Sequence, residues 1–212
     1  MRVEHAHRTF PASRSAQRRI LAGYLGIAPS AVQIVRTCQM CGGDHGRPRI
    51  AGAGFDYSVS HTPDWVVLAV VGEGLVGVDV ESPRRALQNL APHLLTPAER
   101  ARFDTAPTER RPDLMIRAWT RKEAASKVTG HGLAAFTKLD VSGPIVAVGP
   151  GLRLPMDSDI HLREIEAPGG HVAAVATTPR LVRVVACRDR VGDVGSAVRE
   201  GDPVDLPRGG PR

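Results

Sequence analysis

Two carboxylates sit close together in Leu75-Val76-Gly77-Val78-Asp79-Val80-Glu81. If this run is a strand, its period of two puts Val76, Val78 and Val80 on one face and Gly77, Asp79 and Glu81 on the other. Neighbouring carboxylates repel, and a cation between them relieves the repulsion; hard oxygen donors of this kind suit Mg²⁺. Magnesium keeps waters and shares its shell with substrate phosphates, so two or three protein carboxylates imply a phosphate-bearing ligand. A strand with one solvated polar face would read the same way. Downstream, Trp119, Glu123 and Lys127 recur at helical spacing and fall on one stripe. Glu-to-Lys spacing of four is also that of a surface ion pair. The tryptophan on the same stripe, the Gly-His-Gly-Leu that follows and the acidic strand upstream set this stripe apart. Gly46-Arg47-Pro48 and Ser60-His61-Thr62 each place a cation-capable side chain at a bend, where it can grip a phosphate or simply face water.

The elements that must position these residues are legible at low resolution. Ser13 is expected to cap a helix with Ala16, Ile20, Leu21, Tyr24 and Leu25 on its apolar stripe, ended at Gly26. Val32–Val35 reads as a strand leading into a glycine-rich loop at 41–48. Three β-type runs follow, Asp56–His61, Trp65–Val71 and Leu75–Glu81, expected as antiparallel neighbours joined by tight turns. Thr96-Pro97-Ala98-Glu99 is a capping-box signature, and a longer helix is expected from near Pro112 to about Val128, stopped at Gly130. Later β-type runs cover Leu139–Ser142, Ile160–Ile165, Val172–Ala176 and Leu181–Ala186. This recurrence of strands and a helix predicts an α+β fold, with an N-terminal lobe at 1–82, a C-terminal lobe at 83–190 and a disordered tail at 191–212.

Composition narrows the classes. The chain has 212 residues, 42% hydrophobic and 24% charged, with a net charge of +6. It contains no apolar run long enough to span a bilayer and no secretory signal, so a cytoplasmic location and no membrane partner are expected. The positive balance favours anionic partners. With 4% aromatic residues and no Lys/Arg block, nucleic acid is not the expected one. Three cysteines cannot all pair. Cys38-Gln39-Met40-Cys41 with His45 is half a zinc site lacking its complement, and is read as a loop with two thiols.

In order, Gly46-Arg47-Pro48, Tyr57-Ser58-Val59-Ser60-His61-Thr62, Gly77-Val78-Asp79-Val80-Glu81 and Trp119-Thr120-Arg121-Lys122-Glu123-Ala124-Ala125-Ser126-Lys127 resemble the Sfp-type 4′-phosphopantetheinyl transferase family. The last two segments are the specific ones, and the Phe-Thr-Lys-Leu-Asp at 136–140 is also similar. The resemblance runs from about Arg14 to about Cys187. Arg47 stands where many relatives have lysine, and relatives usually carry a further strand and short helix ahead of the segment matching His5–Arg14.

The resemblance implies a pseudo-twofold pair of similar α/β lobes with coenzyme A between them. It implies that Asp79, Glu81 and Glu123 hold Mg²⁺ on the diphosphate and that Lys127 contacts the phosphates. Arg47 and His61 would recognise the 3′-phosphate, with Arg14 reaching the nucleotide. Glu123 is the candidate base for the carrier serine, directly or through a water, with another group or a metal-bound hydroxide as alternatives. The implied partner is an acyl or peptidyl carrier protein, of fatty-acid, polyketide or nonribosomal-peptide type. The segment between Pro83 and Pro112, with Leu87, Leu90, Leu94 and Leu95, would form part of its docking surface or part of the core. A monomer is expected, since duplicated lobes let one chain form the cleft. The competing readings are a non-catalytic carrier-protein or nucleotide-binding module and a metal-dependent phosphoesterase.

Overall fold

A computed structural model describes residues 2–178 except 39–40, 45, 84–86 and 155–156. The expected strand at Leu181–Ala186, the tail at 191–212, Cys187 and His45 lie outside the described residues.

The first helix, α1, runs Arg2–Leu25 and begins before Ser13, which lies inside it. Ser13 is buried there and accepts a hydrogen bond from Gln17 Nε2 at 3.3 Å instead of capping the helix. Gly26 ends the helix with φ +67°, a left-handed conformation that glycine adopts without steric cost. Two short strands, β1 (Ile34–Val35) and β2 (Arg49–Ile50), pair antiparallel around the loop that carries Cys38, Cys41 and Arg47. Cys38 is partly buried and Cys41 is exposed. Gly46 crosses the outgoing chain closely: a Cβ there would stand 2.3 Å from the Thr37 carbonyl oxygen.

Strands β3 (Asp56–His61) and β4 (Val66–Val71) form an antiparallel hairpin. Its Tyr57, Leu68 and Val70 pack with Leu21, Ala22 and Leu25 of α1 in a small apolar core. The next strand, β5 (Leu75–Glu81), departs from the expected meander. It pairs antiparallel with a late strand, β9 (Val172–Thr178), rather than with β4. The short helices α2 (Ala91–Leu94) and α3 (Pro97–Thr105) lead to the long helix α4 (Arg111–Thr129). The pair β6 (Leu139–Asp140) and β7 (Ala147–Val148) precedes β8 (His161–Glu166), which flanks β9 and completes the sheet order β5-β9-β8. The fold is therefore α+β: α1 rests on β3–β4 in the first half, and α4 rests on β5, β9 and β8 in the second. None of the described helices is long and apolar enough to cross a membrane.

The second half is held by two apolar clusters on α4. Ala124, Ala125 and Val128 pack with Leu139, Ile160, Leu162, Ala174 and Ala176. Met115, Ile116 and Trp119 pack with Leu87, Leu94, Leu95, Phe103 and Phe136. Leu87, Leu94 and Leu95 are thus core residues, whereas Leu90 remains 41% exposed.

The capping box is present as read: Thr96 Oγ1 accepts from Glu99 N–H at 3.2 Å, and Glu99 Oε2 accepts from Thr96 N–H at 2.9 Å. Glu99 does more than cap. Its Oε2 also lies 2.6 Å from Lys122 Nζ, and its Oε1 accepts from Val141 N–H at 2.8 Å. Lys122 is 0% exposed and donates further to the carbonyls of Phe136, at 2.7 Å, and Leu139. Burial lowers the pKa of this ammonium and Glu99 opposes that. One buried charge pair therefore ties α4, the start of α3 and the chain entering β6.

Removing one member of a buried pair strands the other charge, so Lys122→Met is expected to cost about 3–5 kcal/mol, read from urea unfolding. Gly77 on β5 admits no side chain, because a Cβ would lie 1.9 Å from the Ala124 carbonyl oxygen of α4. Gly77→Ala must push α4 off β5, and a loss of at least ~1 kcal/mol in unfolding free energy is expected from urea unfolding.

Candidate functional site

The site is built where the polar face of β5 meets α4. Gly77, at the start of that face, lets the helix backbone approach. Beyond it, Asp79 and Glu81 point their side chains at the helix, and the stripe read from the sequence receives them. Lys127 Nζ donates to Asp79 Oδ1 at 2.9 Å, and Trp119 Nε1 donates to Glu81 Oε1 at 2.7 Å. The two elements run in opposite directions: Gly77 and Asp79 meet the helix at Ala124 and Lys127, and Glu81 meets it at Trp119. Glu123 stands between the two contacts on the same helical stripe and is half-buried. Phe136 backs Trp119 edge-on at 5.4 Å between ring centroids, which fixes the indole that holds Glu81.

Among the described residues no strand pairs with the outer edge of β5, and side chains of β3 take the place of one. Val76 N–H donates to Asp56 Oδ2 at 2.8 Å, Val78 N–H to Ser58 Oγ at 3.1 Å, and Val80 N–H to Ser60 Oγ at 3.3 Å. The carbonyls of this edge are covered too. Val76 C=O accepts from Arg47 Nη2, and Val78 C=O accepts from Lys127 Nζ at 2.7 Å. Alternate residues of β3 thus dock on alternate residues of β5, and the hairpin of the first half is fixed to the sheet of the second. Buried backbone polar groups demand such partners.

The electrostatics of the site centre on Asp79. It is 4% exposed, and burial raises its pKa, with Lys127 pulling it down and Glu81 adding to the rise. Its Oδ1 carries both Lys127 and Ser60, which donates at 2.8 Å. Its Oδ2 is buried with no hydrogen-bond partner among the described residues. Glu81 is 9% exposed. Among the described residues no three His, Cys, Asp or Glu side chains form a group that could hold a metal ion. The carboxylates of Asp79 and Glu81 therefore face α4 from one strand, with the Lys127 ammonium as counter-charge on Asp79. An unpartnered carboxylate oxygen beside a second carboxylate is a donor set suited to a hard divalent cation.

The basic residues are more dispersed. Arg14 is exposed on α1, and His61 is exposed at the end of β3, next to Ser60. Arg47 is ion-paired to Asp56, 10% exposed, with its Nε and Nη1 buried and without partners among the described residues. A cavity of about 710 Å³ lies past Glu81, lined by Pro83, Ile116, Arg117, Glu164, Glu166 and His171 among others. It contains none of Asp79, Glu123 and Lys127, and its carboxylates make it unsuited to phosphate. Sequence reasoning missed Ser60, Ser58 and Asp56 as partners of β5. Their spacing of two along one strand face was the available signal.

Because folding raises the pKa of Asp79, the native state binds its proton more tightly than the unfolded chain does. Stability from this group is greatest below the unfolded pKa and is lost as pH rises through the folded one. Asp79→Asn in metal-free buffer is expected to melt higher than the wild type at neutral pH, on the order of 2–4 °C. The gap should close as pH falls toward 4, which thermal melts across pH will show.

Residues 75–176, from the first residue of β5 into β9, match the family model described as the 4′-phosphopantetheinyl transferase superfamily. The 4′-phosphopantetheinyl transferase HetI of Nostoc sp. is 32% identical over 145 residues, covering 66% of this chain and 58% of that protein. The 4′-phosphopantetheinyl transferase AcpT of Salmonella typhi is 32% identical over 109 residues, covering 50% of this chain and 57% of that protein. The chain thus spans less than two thirds of the length of these relatives. A crystal structure of Thermotoga maritima holo-[acyl-carrier-protein] synthase aligns with TM-score 0.34 and 20% identity, over 49% of this chain and 61% of that one. The segment that carries Asp79, Glu81, Trp119, Glu123 and Lys127 is the one that matches the 4′-phosphopantetheinyl transferase superfamily model.

Proposed function

We propose that this chain transfers the 4′-phosphopantetheine arm of coenzyme A to a serine of an apo acyl or peptidyl carrier protein, with Mg²⁺. The observation that carries the reading is the Asp79 carboxylate. One of its oxygens is held by Lys127 and Ser60 while the other is buried and has no partner among the described residues, beside Glu81 and within the segment that the family model matches.

Asp79 and Glu81 are the residues that would hold Mg²⁺, which would supply positive charge to the diphosphate of coenzyme A; Glu123, expected as a third ligand, does not form a three-carboxylate group with them in this structure. Lys127 is placed to move its ammonium from Asp79 to a phosphate oxygen and to offset the charge on the departing 3′,5′-ADP. Glu123 takes the proton of the carrier serine, directly or through a water, as the serine oxygen bonds to phosphorus and the bond to 3′,5′-ADP breaks. Arg47, whose Nε and Nη1 have no partner among the described residues, and the exposed His61 are assigned to the 3′-phosphate, with Arg14 reaching the nucleotide. The net charge of +6 favours encounter with an acidic carrier.

The test is incubation of the protein with coenzyme A, Mg²⁺ and a panel of apo carriers, with carrier mass as readout. One added phosphopantetheine per carrier is expected, and unchanged carriers throughout the panel overturn the reading. Release of free phosphopantetheine with no carrier present would indicate a phosphoesterase instead. Asp79→Ala and Glu123→Ala are each expected to lower transfer at least 10³-fold, a scale comparable to loss of a charge-stabilising group in other active sites. Lys127→Ala is expected to slow turnover by about 10²-fold or more with a smaller effect on melting temperature.

A further inference from the structure

Ser60 joins the two halves of the molecule at the candidate site. Its Oγ accepts from Val80 N–H on the outer edge of β5 at 3.3 Å. The single hydroxyl proton is then free to donate, and it goes to Asp79 Oδ1 at 2.8 Å. Lys127 donates to the same oxygen at 2.9 Å. Two donors on Oδ1 fix the carboxylate about its terminal torsion, which is otherwise broad, and leave Oδ2 as the unpartnered oxygen. The lysine alone holds less firmly: its ammonium rides on a flexible stem and also donates to Val78 C=O at 2.7 Å.

Ser58 provides a built-in comparison. It sits two residues earlier on the same face of β3 and makes the same kind of bond, accepting from Val78 N–H at 3.1 Å. No hydrogen bond joins it to Asp79. Loss of either hydroxyl unpairs one backbone N–H of β5, but loss of Ser60 also frees the carboxylate.

We propose that Ser60 is a positioning residue of the acidic site, setting the Asp79 carboxylate so that Oδ2 faces an incoming cation and coupling that orientation to the docking of the β3–β4 hairpin on β5. This rests on the proposed function for the identity of the cation, and it concerns a residue that touches neither coenzyme A nor carrier in that reading.

The test uses the full-length protein and Mn²⁺ as probe. Free Mn²⁺ is followed by electron paramagnetic resonance during titration of wild type, Ser58→Ala, Ser60→Ala and Ser60→Thr, with and without coenzyme A. Ser60→Ala is expected to weaken Mn²⁺ binding about tenfold or more, the usual effect of removing a hydrogen bond behind a ligand. Ser60→Thr keeps the hydroxyl on a half-buried strand position and should restore affinity to within about twofold of wild type. Ser58→Ala should lose a comparable amount of melting temperature and leave Mn²⁺ affinity unchanged. In steady-state transfer, Ser60→Ala should raise the Mg²⁺ concentration for half-maximal rate, with kcat at saturating Mg²⁺ little altered.

Equal Mn²⁺ affinity in wild type and Ser60→Ala overturns the proposal, as does an equal loss in Ser58→Ala and Ser60→Ala. Failure of wild type to bind Mn²⁺ overturns it as well. Wild type that binds Mn²⁺ with the predicted ranking but modifies no carrier supports the role of Ser60 and defeats only the transferase reading. Carrier modification with Mn²⁺ affinities indifferent to Ser60 does the opposite.

Discussion

The arrangement depends on how the outer edge of β5 is satisfied. An edge strand buried between two halves of a protein would leave a row of backbone groups without partners, at a cost of about 1–3 kcal/mol for each. Here Asp56, Ser58 and Ser60 supply acceptors at the spacing of the strand, and Arg47 and Lys127 supply donors. This side-chain ladder joins the hairpin of the first half to the sheet of the second without a continuous sheet. Polar side chains therefore accumulate along the edge from which Asp79 and Glu81 project, and the interface and the acidic site share residues.

Helix α4 carries two lysines five residues apart with different duties. Lys122 faces the interior and spends its charge on Glu99 and two carbonyls, which holds the helix to α3 and to the entry of β6. Lys127 faces β5, is partly exposed, and balances Asp79. The first is enclosed by structure that would have to come apart to release it. The second makes two bonds at a partly exposed position, to Asp79 Oδ1 and to the Val78 carbonyl. Gly77 completes the device by letting α4 come close enough for both contacts on β5 to form.

Much of this was legible in the sequence because it is local. Alternation placed Asp79 and Glu81 on one strand face, and spacing placed Trp119, Glu123 and Lys127 on one helical stripe. Thr96 and Glu99 declared a helix start that the structure contains. Residues near a break in pattern were read less well. Ser13 has the chemistry of a cap, yet the helix continues through it, since burial against Gln17 satisfied a hydroxyl that could otherwise have ended a helix. Leu87, Leu94 and Leu95 could be surface or core on pattern alone, and packing against Trp119 and Phe136 settled them as core.

The sequence by itself determined which residues share a face, because side-chain direction repeats every two residues in a strand and about every 3.6 in a helix. Tertiary structure decided what each face meets. That β5 pairs with β9 nearly a hundred residues later, that Ser60 rather than Ser58 reaches Asp79, and that Lys122 is enclosed while Lys127 stays at the site are outcomes of long-range closure. No local propensity encodes them. They follow from the demand that every buried polar group find a partner once the two halves come together.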